Sequence, residues 1–200
     1  MNIKNLLLIT AVTLGFMACN SDSSTQTENS EALDTAGIAL NNLNMEGLAE
    51  EIKRRELALT DVTQKVDRLK AQQLMEAYLT FERRFSNTNM APVYLFKAGE
   101  LAMSLNNTPA SLKHFDKVYQ QYKKYEKRPY ALFLKAFILE NQAKNYDEAR
   151  ITYENFIEEF PNHEMVDDAQ YSIKNMGKSA EELIREFEIQ DSIRAAQKAS

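Results

Sequence analysis

One thiol, two imidazoles and several runs of adjacent carboxylates are the side chains here with the reactivity for covalent or acid–base chemistry. The thiol, Cys19, follows the small residue Ala18. Before it lie Lys4 and the apolar run Leu6 to Phe16, and behind it the polar stretch Asn20 to Ser30. A positive start, an apolar run and a small residue before a polar segment is the order of an export signal. The run of about 11 residues is too short for a bilayer, which takes roughly 20. His114 lies between Lys113 and Phe115, and His163 follows Pro161 and Asn162. Neither has a second His or Cys at metal-ligand spacing, so no zinc site is expected. Glu158 and Glu159, Asp167 and Asp168, and Glu181 and Glu182 are neighbours in sequence and so do not face one another on a helix. Asp167 and Asp168 suit a first helical turn, where they complement the helix dipole. There is no glycine-rich phosphate loop or nucleophile elbow. The sequence therefore predicts no enzyme, no metal and no cofactor.

The elements that would position these residues are helices. Gly and Pro number only five and four in 200 residues, Trp is absent, and Ala, Leu, Glu, Lys and Gln are common. That composition predicts an all-α protein. With one cysteine no internal disulfide can form, so stability must come from packing. The net charge of −5 argues against a general nucleic-acid binder. The charge is uneven: residues 111–128 carry +4 and residues 147–191 carry −9. The segment from Lys113 to Tyr130 interleaves basic and aromatic residues. Phe115, Val118 and Tyr122 are wanted for a core, which leaves Tyr119 and Tyr125 as off-core candidates for a protein contact. Both histidines are expected at exposed or edge positions.

Helical periodicity begins near Glu46 and is strongest from Val62 onward, with Thr60 a possible break. A repeat then emerges. Leu74-x3-Tyr78-x2-Phe81-x3-Phe85, Ser111-x3-Phe115-x2-Val118-x3-Tyr122 and Ala149-x3-Tyr153-x2-Phe156-x3-Phe160 share one spacing and start 37 and 38 residues apart. Between them lie Pro92-x2-Leu95-Phe96-x2-Gly99 and Pro129-x2-Leu132-Phe133-x2-Ala136. Pro92 and Pro129 suit first helical turns, and Gly99 and Ala136 allow close helix approach. Thr108-Pro109 predicts an N-cap and helix start; Asn145 with Glu148 and Ser179 with Glu182 predict capping boxes.

These units resemble tetratricopeptide repeats over about residues 67–176, with Leu95 and Leu132 at the usual Trp position and Ala149, Tyr153 and Pro161 matching the second-helix signature. The resemblance implies a helix-turn-helix solenoid of about two to three repeats. The expected organisation is a signal peptide at 1–18, a disordered tether at 19–45, an N-terminal helical segment at 46–66, the repeats at 67–176 and a C-terminal capping helix at 177–200. Leu183, Ile184, Phe187 and Ile193 would form the cap's apolar stripe. The N-terminus resembles a bacterial lipoprotein signal, which implies lipidation of Cys19; Phe16 stands where Leu is usual. Asn20, rather than Asp, after that cysteine implies outer-membrane placement in the bacterial cell envelope. Together the signal, the tether and the repeats resemble the outer-membrane tetratricopeptide lipoproteins, a group that includes the barrel-assembly lipoprotein BamD and the cell-division coordinator that binds TolA.

That resemblance implies a lipid-anchored scaffold, attached to the membrane through Cys19 and binding another envelope protein or a peptide, but not nucleic acid. In tetratricopeptide proteins the first helix of each unit lines a concave groove. By register the groove positions are Val93, Phe96, Glu100 and Met103, then Tyr130, Phe133, Phe137 and Glu140. Two states of this groove stand open: presented to a partner, or filled by the helix at 46–60. A solute- or glycan-binding lipoprotein and a permanently buried accessory subunit are the rival functions.

Overall fold

The computed structural model describes residues 39–59 and 67–199. They form a helical turn at 39–42 and then α1 Met45–Leu59, α2 Arg68–Arg84, α3 Met90–Ser104, α4 Thr108–Gln121, α5 Arg128–Asn141, α6 Tyr146–Glu159, α7 Val166–Asn175 and α8 Ala180–Ala199. Each helix from α1 to α6 packs against the next in sequence. The architecture is the expected all-helical, tetratricopeptide-like solenoid, with paired helices α1/α2, α3/α4 and α5/α6 followed by α7.

The repeated stripe is the core. Tyr78, Phe81, Phe115, Val118, Tyr153 and Phe156 are buried, while the last position of each stripe, at Phe85, Tyr122 and Phe160, is half-buried. Burying one such aromatic contributes about 1.5–3 kcal/mol. The rings interlock edge to face: Phe96 on Phe115 at 5.3 Å, and Phe133 on Tyr153 at 5.5 Å and on Phe156 at 5.6 Å between centroids. Gly99 is required by this packing, because a Cβ there would lie 2.9 Å from the Phe115 ring. Ala136, its counterpart one unit on, is fully buried.

Two kinds of turn alternate. Where α2, α4 and α6 hand over to the next helix, the amides of Thr88, Tyr125 and His163 donate to the carbonyls of Phe85, Tyr122 and Phe160. Three residues on, the amides of Ala91, Arg128 and Val166 donate to Thr88, Tyr125 and His163. The α3–α4 and α5–α6 turns instead place Asn106 and Lys144 in the left-handed region, at φ 55° and 54°. Asn107 N then reaches Ala102 O, and Asn145 N reaches Leu139 O, closing the helix ends. Asp67, Asn107 and Asn145 cap α2, α4 and α6 through their side chains. The cap of α4 is thus Asn107 rather than Thr108, one residue earlier than the sequence predicts. Ser179 and Glu182 form the reciprocal capping box expected for α8.

Three expectations change. The helix at 45–59 completes a first pair with α2, burying Leu48 and Ile52 in a cluster with Tyr78, Phe81 and Tyr94. Residues 39–44, assigned to the tether, join this body: Leu40 is 1% exposed, and its carbonyl accepts from Arg84 Nη1 at 2.9 Å. The helix α8 follows the repeats as expected, but only Leu183 of its apolar residues is half-buried, while Ile184, Phe187, Ile189 and Ile193 are exposed. At ~100° per residue these five side chains spread over more than half the circumference, which is too wide for one packing face. Cys19, the tether at 20–38 and the break at Thr60 lie outside the described residues.

Candidate partner-binding surface

The first helices of the pairs, α1, α3, α5 and α7, must bury one side against their second helices and leave another outward. Of the predicted groove residues, Glu100 and Phe137 are exposed, and Val93, Met103, Tyr130 and Glu140 are half-buried. Phe96 and Phe133 are 3% and 7% exposed. These two are corrected from groove to core, because each ring is clasped by aromatic residues of the following helix or turn. Phe96 meets Phe115 and Tyr125, and Lys127 Nζ lies 5.2 Å from its centroid.

The half-buried members are held by polar partners. Tyr130 donates its hydroxyl to Glu164 and packs edge-on against His163. Glu140 accepts from Tyr153 Oη at 3.0 Å. Met103 lends its carbonyl to Gln142 Nε2 at 3.1 Å, tying the ends of α3 and α5 together. Glu140 also lines a cleft of about 340 Å³ with Tyr171, Ser172, Asn175 and Leu183. The helix α1 stands beside α3 through Glu56, whose carboxylate accepts from Tyr78 Oη and Lys97 Nζ, both at 2.7 Å. Burial works against ionisation of Glu56, but these two donors outweigh it and hold the carboxyl below its ordinary value. Docked there, α1 leaves Glu100 and Phe137 uncovered, so it does not fill the groove along its length.

Sequence reasoning missed the polar joints between pairs. Glu82 is 4% exposed and accepts from Lys117 Nζ and Tyr122 Oη, each at 2.6 Å. Glu159 accepts from Tyr119 Oη at 2.6 Å and pairs with Arg128 at 2.6 Å. Burial works against ionisation of Glu159, and again these donors outweigh it and hold the carboxyl low. Tyr119 and Tyr125 are therefore structural rather than free: Arg128 lies on Tyr119 at 4.5 Å, and Tyr125 packs on Phe96. Burial pushes the Tyr125 hydroxyl up to about 12. His114 is buried rather than exposed, and burial pushes its pKa down, aided by Lys113 and Lys117. His163 accepts from Met165 N through Nδ1 at 3.2 Å, a turn-forming role. Glu82 directly follows the buried aromatic Phe81, but Glu159 follows Glu158, so the two joints share no local signature.

Tyr171, which no pattern singled out, is 63% exposed on α7 beside Ile184 and Phe187 of α8. Among the described residues no three His, Cys, Asp or Glu side chains cluster to hold a metal. Within the same residues no helix is long and apolar enough to cross a membrane.

Residues 130–163, which cover most of α5, all of α6 and the start of the turn beyond, match the family model of the tetratricopeptide repeat. No curated protein matches the chain significantly. The match and the helix pairing on both sides of it support a tetratricopeptide-repeat protein, a class whose members generally bind other proteins and are generally not catalysts.

Proposed function

We propose that this protein is a non-catalytic, lipid-anchored scaffold of the bacterial cell envelope that holds another envelope protein or an extended peptide against its first-helix surface. The observation that carries the reading is the succession of equivalent outward residues Glu100 and Phe137 on α3 and α5, with the equivalent half-buried Met103 and Glu140 one turn further along each helix. An extended segment or a partner helix fits such a row, with apolar anchors flanked by carboxylates that take its backbone donors or basic side chains. Anchoring rests on the sequence alone: Cys19 behind Ala18 at the end of a short apolar run, followed by a polar tether. Placement in the outer membrane, and a share in assembling its proteins or maintaining the envelope, follow from the family resemblance.

Two measurements test the two halves. Cys19→Ala should release the protein from the membrane fraction; unchanged retention ends the anchor reading. In-cell crosslinking and purification of the lipidated protein should recover a stoichiometric envelope partner. Phe137→Lys, a change at an exposed position, should lose that partner. Recovery undiminished by this variant sinks the surface assignment.

A further inference from the structure

Successive units of the solenoid are built alike, so a place filled in one and open in the other shows what fits there. The turns after α4 and α6 make the same two backbone bonds. Tyr125 N donates to Tyr122 O and Arg128 N to Tyr125 O in one; His163 N donates to Phe160 O and Val166 N to His163 O in the other. Tyr125 and Glu126 therefore correspond to His163 and Glu164. In the same way Pro92 and Val93, in the first turn of α3, correspond to Pro129 and Tyr130 in α5. In the α5 unit the place is filled from within. Tyr130 donates its hydroxyl to Glu164 and lies edge-on to His163, with ring centroids 4.6 Å apart. In the α3 unit a valine stands at the tyrosine position, with no ring or hydroxyl to cross to the turn. A cleft of about 620 Å³ opens there between the turns at 86–89 and 121–126, lined by Pro92, Val93, Tyr125 and Glu126. Glu126 is exposed and has no hydrogen-bond or ion-pair partner among the described residues. Asn87 and Asn89 on one side and Gln121 on the other border the cleft, and their side-chain amides are unpaired in the same sense. Lys123 and Lys124 border it as well, Lys123 lying over the Tyr119 ring at 4.8 Å.

We infer that this cleft takes a tyrosine side chain from an extended segment of a partner protein, its ring beside Tyr125 and its hydroxyl donated to Glu126, as Tyr130 does within the chain for Glu164. The inference rests on the proposal above that the first-helix surface holds such a segment. Val93 stands two turns before Glu100 on the same helix, so the cleft continues that surface. Pro92 and Val93 offer the ring an apolar floor, and Tyr125 offers it an edge-to-face neighbour. The Glu126 carboxylate offers the hydroxyl a charge-assisted bond, stronger than a neutral one. The volume lies within the range of about 300–1,000 Å³ usual for ligand sites. It exceeds one ring, which leaves room for main chain on either side. The amides of Asn87, Asn89 and Gln121 each carry a donor and an acceptor, and so match the peptide units flanking the tyrosine. A free phenol would leave those amides unmatched. A basic side chain would satisfy Glu126, but it would leave the apolar floor bare and approach Lys123 and Lys124.

The test follows the backbone amide resonances of the purified, isotope-labelled protein during titration with a short blocked glycine peptide carrying one central tyrosine. The same peptide with phenylalanine in its place is the comparison. Shifts should gather at residues 86–89 and 121–126. The tyrosine peptide should bind about 5–10-fold more tightly than the phenylalanine one, the margin of one hydrogen bond to a charged acceptor in a partly solvated site. Glu126→Ala should bring the two peptides to equal affinity. Val93→Tyr should fill the cleft from within and abolish binding of both, with the helical circular dichroism signal unchanged. No shifts at these residues, equal affinity of the parent for the two peptides, or binding that survives Val93→Tyr overturns the inference. So does para-cresol binding as tightly as the tyrosine peptide, which reassigns the cleft to a small molecule. Partner recovery with Phe137→Lys decides the surface reading separately. A partner lost in that variant, with no tyrosine preference here, keeps the surface and removes only this occupant.

Discussion

The helices α6 and α8 carry the same apolar spacing and opposite fates. Ala149-x3-Tyr153-x2-Phe156 in α6 is buried throughout, whereas Ala180-x3-Ile184-x2-Phe187 in α8 is exposed at every position. Both helices are capped, by Asn145 and by the Ser179–Glu182 box. The difference lies in their neighbours. The helix α6 sits between α5 and α7, where Phe133 and Ala169 help to receive its rings. The α8 motif starts 31 residues after the α6 motif, short of the 37 and 38 that separate the earlier ones. Its predecessor α7 has 10 residues, against 15 in α3 and 14 in α5. A pattern within a helix thus specifies which side wants burial. The length of the preceding helix and turn decides whether anything is there to bury it.

The largest effect that sharpens this contrast is expected for Phe156→Ala. It should cost about 3–5 kcal/mol in urea unfolding, the range for truncating a fully buried ring. Among the polar joints, Glu82→Ala should cost about 1–3 kcal/mol because it strips two half-buried donors, Lys117 and Tyr122, of their acceptor. The exposed pair of Lys178 with Glu186 in α8 should yield about 0–1 kcal/mol in a double-mutant cycle. Acidification should act on the body through His114. Its folded pKa lies below the ordinary 6.5, so the folded state resists the proton that the unfolded chain accepts. The stabilisation is complete above the unfolded pKa and is lost as pH falls through the folded one. His114→Gln should flatten the decline in melting temperature below about pH 6.5; an unchanged decline would assign it elsewhere. Lys144→Gly should raise stability by about 0.5–1 kcal/mol in the same urea assay, by relieving the left-handed conformation. Phe187→Ala should fall within about 0.5 kcal/mol of the parent. A loss there comparable to Phe156→Ala would erase the distinction between the two helices.

Much of the body was legible because one physical demand recurs. An aromatic stripe at fixed spacing, a small residue opposite it and a prolyl first turn recur about every 37 residues, and each recurrence raises the odds that the first was not chance. The pairing of α1 with α2 was less visible, since its apolar pattern is short and carries no signature residue opposite Tyr78. The groove was half legible. Register located Glu100 and Phe137 on the outward side. The burial of Phe96 and Phe133 depends on how far the next turn folds over them, which Tyr125 and the α6 rings decide. Tyr119 and Tyr125 misled for the same reason: their positions lie off the helical stripe, but the turn beyond α4 brings Arg128 and Phe96 onto them. The polar joints need polar groups from different units, separated by 35 to 40 residues as in Glu82 with Lys117 and Tyr122, and helical periodicity carries no information over that distance.

Because each helix from α1 to α6 packs on the next in sequence, ordering one pair costs little chain entropy before it is repaid, and each finished pair offers a template for its neighbour. Folding is then expected to spread along the chain like a zipper rather than to await one distant encounter. The same arrangement grades the molecule in time. Amides of α4 and α6, flanked on both sides, should exchange with solvent only in large openings. Those of α8 should exchange in local fraying, so that the C-terminal end is the first part of the molecule a protease reaches.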